Sequence, residues 1–88
     1  MQLIKSLDNC IVETNYISDG KQIIFRFDNS YGASVVNHKY SYGNELAVIT
    51  FDNNNEWELC YDTYITSDVL GFLTNNEIID TLIKIKNL

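Results

Sequence analysis

The hydrophobic rhythm of this chain changes once, and that change leaves few folds open to it. From Asn9 to Tyr61 apolar residues recur with period two in short runs broken by turn residues. From Thr74 onward they recur at helical spacing. Strands followed by helix, with no alternation of the two, predict an α+β fold. The expected form is an antiparallel meander sheet of four to five strands, with one short and one longer C-terminal helix packed on one face. The joint between the halves is Trp57–Leu73. Its first part sets Trp57, Leu59 and Tyr61 against Glu56, Glu58, Cys60 and Asp62, which predicts a strand with its aromatic face buried and its acidic face in water.

The strand half divides at its turns. Asn9 to Ile17 places Cys10, Val12, Thr14 and Tyr16 on one side and Ile11, Glu13, Asn15 and Ile17 on the other. Ser18-Asp19-Gly20-Lys21 then reads as a two-residue hairpin turn around Asp-Gly. Gln22 to Asp28 buries Ile23, Phe25 and Phe27, and Asn29-Ser30-Tyr31-Gly32 turns the chain into a third strand, Gly32 to His38. Lys39 to Asn44 is a tyrosine-rich loop whose Tyr40 and Tyr42 are candidates for a binding surface, since tyrosine gives rigid contact area at low entropic cost. Glu45 to Phe51 is apolar on both faces and belongs inside the sheet, and Asp52 to Asn55 returns the chain into the Trp57 strand.

In the helical half, Ser67 or Asp68 is expected to cap a short helical turn through Val69 and Leu70 that stops near Gly71. Thr74-Asn75-Asn76-Glu77 matches a capping box, and Ile78, Ile79, Leu82, Ile83 and Ile85 follow on one helix face. Lys84 and Lys86 sit where the negative end of the helix dipole favours them.

An 88-residue chain is expected to be a single domain, residues 1–88, and a hydrophobic share of 45% is too high for a disordered one. Met1-Gln2-Leu3-Ile4-Lys5 meets Asp8 too soon for a signal peptide, and no apolar run is long enough to span a bilayer, so a cytoplasmic setting is expected. Cys10 and Cys60 match neither a disulfide framework nor a zinc pattern. The formal net charge is −6 and unevenly placed. Up to Asn44 acids and bases balance, whereas Glu45, Asp52, Glu56, Glu58, Asp62, Asp68, Glu77 and Asp80 follow with no base among them. Such a field repels nucleic acid and acidic membranes and favours a partner with a basic surface, the alternative being that it only keeps a small protein soluble.

No chemistry-bearing constellation stands out. His38 is the sole histidine and sits where a strand end enters a loop, which fits a surface histidine better than a catalytic one. Asp62, Thr63, Thr66, Ser67 and Asp68 crowd one turn, yet they lack EF-hand spacing and serve better as strand end and helix cap. Glu56, Glu58 and Asp62 show no sign of the desolvation that acid–base carboxylates need, and the glycines lie singly among turns rather than in a phosphate loop. No catalytic residue, metal or cofactor is therefore expected. The partner-binding candidates are Glu56, Glu58, Asp62, Tyr40 and Tyr42.

Tyr31-Gly32-Ala33-Ser34-Val35-Val36, Tyr42-Gly43, Glu45-Leu46-Ala47-Val48 and the stretch from Trp57 to Leu73 together resemble a family of small, functionally uncharacterised proteins of tailed phages and prophages. The likeness spans about Phe25 to Leu88, and the AT-rich codon bias implied by abundant Asn and Ile fits a low-GC bacterium or one of its phages. Where that family usually carries proline, this chain has Tyr64. The resemblance implies a phage accessory gene and brings no site residues with it. The functional expectation is thus a small acidic phage-type accessory protein, not an enzyme, that binds and modulates a host protein of the nucleic-acid-binding or defence class, with homo-oligomerisation left open. The alternative is a protein that binds or sequesters a small molecule such as a nucleotide signal, with Tyr31, Tyr40 and Tyr42 stacking on the base and Lys39 and Arg26 meeting the phosphates locally or across an oligomer interface.

Overall fold

The structure, a computed structural model, describes residues 5–17, 19–38, 41 and 43–88. A short helix α1 (Lys5–Asp8) leads into strands β1 (Ile11–Ile17), β2 (Gly20–Arg26), β3 (Tyr31–Asn37), β4 (Glu45–Phe51) and β5 (Trp57–Leu59), and the chain closes with helix α2 (Asn75–Lys86). The strands pair antiparallel in sequence order, β1-β2-β3-β4-β5, so the sheet is a meander with β1 and β5 at its edges. This is the α+β arrangement that the change of period predicts.

One face of the sheet presents Ile23, Phe25, Ala33, Val35, Leu46 and Val48 to Leu7 of α1 and to Ile78, Leu82 and Ile85 of α2, all of them buried. Four isoleucines give α2 a mediocre intrinsic propensity, a deficit of roughly 0.4 kcal/mol per residue against alanine. Burying Ile78, Leu82 and Ile85 returns roughly 2 kcal/mol each, so packing on the sheet decides that this segment is helical. The capping box forms as expected. The Thr74 hydroxyl accepts from the Glu77 amide at 3.2 Å, and the Glu77 carboxylate accepts from the Thr74 amide at 2.9 Å. Ile83, expected on the packed face, is 38% exposed, and Thr81 takes its place against the sheet, its hydroxyl donating to the Glu77 carbonyl.

Several local expectations shift. The short helix lies at Lys5–Asp8, and no helix forms over Ser67–Gly71. There Leu70 instead exchanges two backbone hydrogen bonds with Leu46, at 2.8 and 2.9 Å. The edge of β4 is thus paired first by β5 and then again by Leu70, with Tyr61 to Val69 leaving the sheet between the two. Turn residues that read as caps serve this excursion: Thr66 bonds the Asp68 backbone, and the Asp68 carboxylate accepts from the Val69 amide at 2.7 Å. In β1 a bulge between Ile11 and Glu13 breaks the alternation, so Ile11 faces Phe25 while Glu13 faces Ile24 on the opposite side. The β1–β2 turn leaves two residues between paired Ile17 and Gly20, with Ser18 outside the described residues. Gly20 is needed for closeness rather than for a positive φ, since a Cβ there would lie 1.8 Å from the Asn37 carbonyl oxygen.

Candidate functional site

Among the described residues no helix lies on the face of the sheet opposite α2, yet the centre of that face is buried. The face carries Ile24, Ser34, Ala47 and Ile49 in the strand centres, together with Phe51, Trp57 and Leu59 toward the β5 edge. A polar ladder crosses its β1 side: the Asn15 amide donates to Gln22 Oε1 at 3.1 Å, and the Gln22 amide donates to Ser34 Oγ at 3.0 Å. No comparable ladder crosses the β5 side among the described residues, and the surface there is apolar.

The β4–β5 hairpin is built by its own turn chemistry. The Asp52 carboxylate accepts from the amides of Asn54 at 2.8 Å and Glu56 at 3.0 Å, and Asn55 takes φ 62°, a left-handed angle that asparagine tolerates. Gly32 in β3 leaves room for the Phe51 ring, because a Cβ there would come within 2.8 Å of its edge and 2.0 Å of the Phe25 carbonyl oxygen. The Arg26 guanidinium lies over that ring, 5.3 Å from its centroid, and donates to the Asn55 side-chain oxygen. The hairpin is thereby fastened to β2.

What the hairpin displays differs from the expectation drawn from its alternation. That alternation predicts Trp57, Leu59 and Tyr61 on the buried face. They are 37%, 49% and 39% exposed, and every residue of β5 lies at the surface. Period two shows that the two faces differ, but not that a layer covers the apolar one, and α2 lies on the other side of the sheet. Glu56, Glu58 and Asp62 are exposed as expected, although only Glu58 lies within β5. None of the three carboxylates has a hydrogen-bond or ion-pair partner among the described residues. A groove of about 310 Å³ runs along the hairpin, lined by Thr50, Phe51, Asp52, Glu56, Trp57 and Glu58. Tyr40 and Tyr42, the other two binding candidates, lie outside the described residues, as does Lys39.

The backbone of β5 adds a second property. Hydrogen bonds from Asp52 N–H to the Glu56 carbonyl and from Cys60 N–H to the Val48 carbonyl fix which residues point toward β4. By the alternation of an antiparallel ladder, the N–H and C=O groups of Trp57 and Leu59 point away from β4, to the open edge of the sheet. Sequence reasoning located the acidic residues but missed this edge and the Arg26–Phe51 stack. The one signal for the stack was Gly32, a turn residue by its sequence, which the structure places inside β3, where a glycine marks close approach of another group.

Elsewhere the structure offers less chemistry. A cavity of about 550 Å³ at the far end of the helix-side face has a floor of Ile23 and Val35 and a rim that includes Tyr16, Lys21, Asn37 and Asn44. Tyr31 packs against the core while Arg26 lies on the opposite face, so within one chain these two do not close on one ligand. His38 follows directly on β3, its amide donating to the Ser41 hydroxyl at 3.0 Å. The amides of Thr74 and Glu77 serve the helix cap, and the bond from the Thr74 backbone, aided by the Thr74 side chain, holds the Glu77 carboxyl below the usual glutamate range. Among the described residues no three His, Cys, Asp or Glu side chains gather where they could hold a metal ion, and no helix is long and apolar enough to cross a membrane. Cys10 lies beside β2, its carbonyl accepting from Arg26, whereas Cys60 lies beside β4, and the thiols are free. No family model, curated protein or solved structure matches this chain.

Proposed function

We propose that this chain is a small, non-enzymatic accessory protein of the phage type, working in the host cytoplasm. It docks through the β4–β5 edge on a host protein with a basic surface and modulates it. Proteins that bind nucleic acid, host defence proteins among them, carry basic surfaces of this kind. The supporting observation is the juxtaposition at that edge: Glu56, Glu58 and Asp62 exposed and without partners among the described residues, beside exposed Trp57, Leu59 and Tyr61. Aromatic anchors with a charged rim are the composition by which protein interfaces bind and select. Unpaired rim carboxylates speed encounter with a basic partner and make it sensitive to salt. The acidity disfavours nucleic acid itself as the ligand.

The test is capture from host lysate with the tagged wild type beside a variant carrying Glu56→Lys, Glu58→Lys and Asp62→Lys. The wild type should retain a basic protein that the variant does not. Equal retention by both, or none by either, counts against the proposal. The 550 Å³ cavity supports a second reading, the binding of a small molecule against Ile23 and Val35 with Lys21 at the rim. A nucleotide panel that leaves the melting temperature unchanged would dispose of its nucleotide form.

A further inference from the structure

We infer that the partner binds by strand addition: an extended segment of the basic protein pairs antiparallel with β5, carrying basic and apolar residues in strict alternation. This rests on the docking surface proposed above and specifies how it is used.

Three features of β5 lead there. It is an edge strand, with the N–H and C=O groups of Trp57 and Leu59 directed outward and no described residue bonded to them. Its two faces are chemically opposite: Trp57 and Leu59 join Phe51 on the apolar side, while Glu58 is on the other, in phase with Glu56 before it. Its carboxylates have no partner among the described residues. An added strand continues the period of two, so residues opposite Trp57 and Leu59 fall on the apolar side, and those between them fall beside Glu56 and Glu58. Apolar residues fit the first set and lysine or arginine the second. The other open edge is a poorer template, because β1 is bulged between Ile11 and Glu13 and Glu13 is its only charged residue.

The geometry supplies a discriminating test. In an antiparallel pair, the partner residues that exchange hydrogen bonds with Trp57 and Leu59 are those directly opposite them, which are the apolar ones. An acetylated peptide Lys-Val-Lys-Val-Lys-Val-Lys can therefore be N-methylated either at its valines, removing the donors that face β5, or at its inner lysines, leaving them. Trp57 is the only tryptophan, so its emission reports binding at this edge directly. The unmodified peptide should change Trp57 emission in a saturable way. Methylating the valines should weaken binding roughly tenfold, and methylating the lysines much less.

Leu59→Pro provides the matching change in the protein. The Leu59 N–H makes no ladder bond to β4, so proline there should leave the sheet intact and abolish strand addition. If that variant fails to fold, the methylated peptides still decide the question. Equal affinity for both methylated peptides would overturn strand addition. If Glu56→Lys and Glu58→Lys still abolished binding in that case, docking at this surface would stand. A peptide that binds the wild type and the charge-reversed protein alike, or neither, would overturn both. Trp57 emission that shifts with protein concentration alone would assign the edge to a second copy of this chain and overturn the inference.

Discussion

Asn29 holds the end of α2 in place across 56 residues of sequence, and replacing one of its atoms tests how the helix is attached to the sheet. Its side-chain amide donates toward the carbonyls of Ile85, Lys86 and Leu88 at 2.9, 3.2 and 3.3 Å, and its Oδ1 accepts from the Tyr31 amide at 3.0 Å. Asn29→Asp keeps the shape and the acceptor and removes only the donor. Two amide protons serve at most two good bonds, at about 1 kcal/mol each once exchange with water is counted. A carboxylate facing carbonyls at the negative end of a helix dipole costs about 0.5 kcal/mol more. The variant should therefore lose about 2.5 kcal/mol in urea unfolding with an unchanged m-value, and melt about 12 °C lower for a chain of this size. The deficit should narrow at acid pH, because the introduced carboxyl is held in a negative environment and protonates more readily folded than unfolded. A loss below about 0.5 kcal/mol would refute the claim that Asn29 caps α2.

Three further outcomes follow from the packing. Gly20→Ala drives a methyl into the Asn37 carbonyl, backbone against backbone, and should cost about 2 kcal/mol in the same assay, with amide exchange quickening first between Lys21 and Asn37. The folded Glu77 carboxyl lies below its ordinary value of 4.5, so its contribution is complete above that value and fades as pH falls through the folded pKa. Glu77→Gln should flatten stability against pH in that acid window, as followed by circular dichroism, and an unchanged profile would contradict the cap. Cys10 and Cys60 flank opposite sides of a five-stranded sheet, about 19 Å apart at strand spacing, so oxidation should yield no intramolecular disulfide in the folded chain, as mass spectrometry of the intact protein can check.

Local chemistry was well written in the sequence. The apolar run Glu45 to Phe51 marked β4 to the residue, the alternation in Gln22 to Asp28 found β2 displaced by two residues at each end, and Thr74 with Glu77 marked the start of α2, because each rests on neighbours in the chain. What escaped depends on distant partners. Alternation in Trp57-Glu58-Leu59 separated two faces without naming the one that α2 covers. Ser67 and Asp68 are chemically fit to cap a helix, but Leu46 offers Leu70 a paired edge and Leu73 binds Asn44 at 3.1 Å, so the segment makes no helix. Leu7, 1% exposed in the core, followed no period long enough to read. The Asn29 cap and the Arg26–Phe51 stack join residues far apart in sequence, and only Gly32 hinted at the second.

The central claim is that the β5 edge is a docking surface driven by its carboxylates. The most direct test is the affinity of a captured basic protein for the wild type and for the Glu56→Lys, Glu58→Lys, Asp62→Lys variant at low and high salt. These side chains are exposed, so the variant should fold with stability within about 0.5 kcal/mol of the wild type. Wild-type affinity should fall as salt rises, and the variant should bind weakly at both. Equal affinity of the two proteins, with no dependence on salt, would contradict the account.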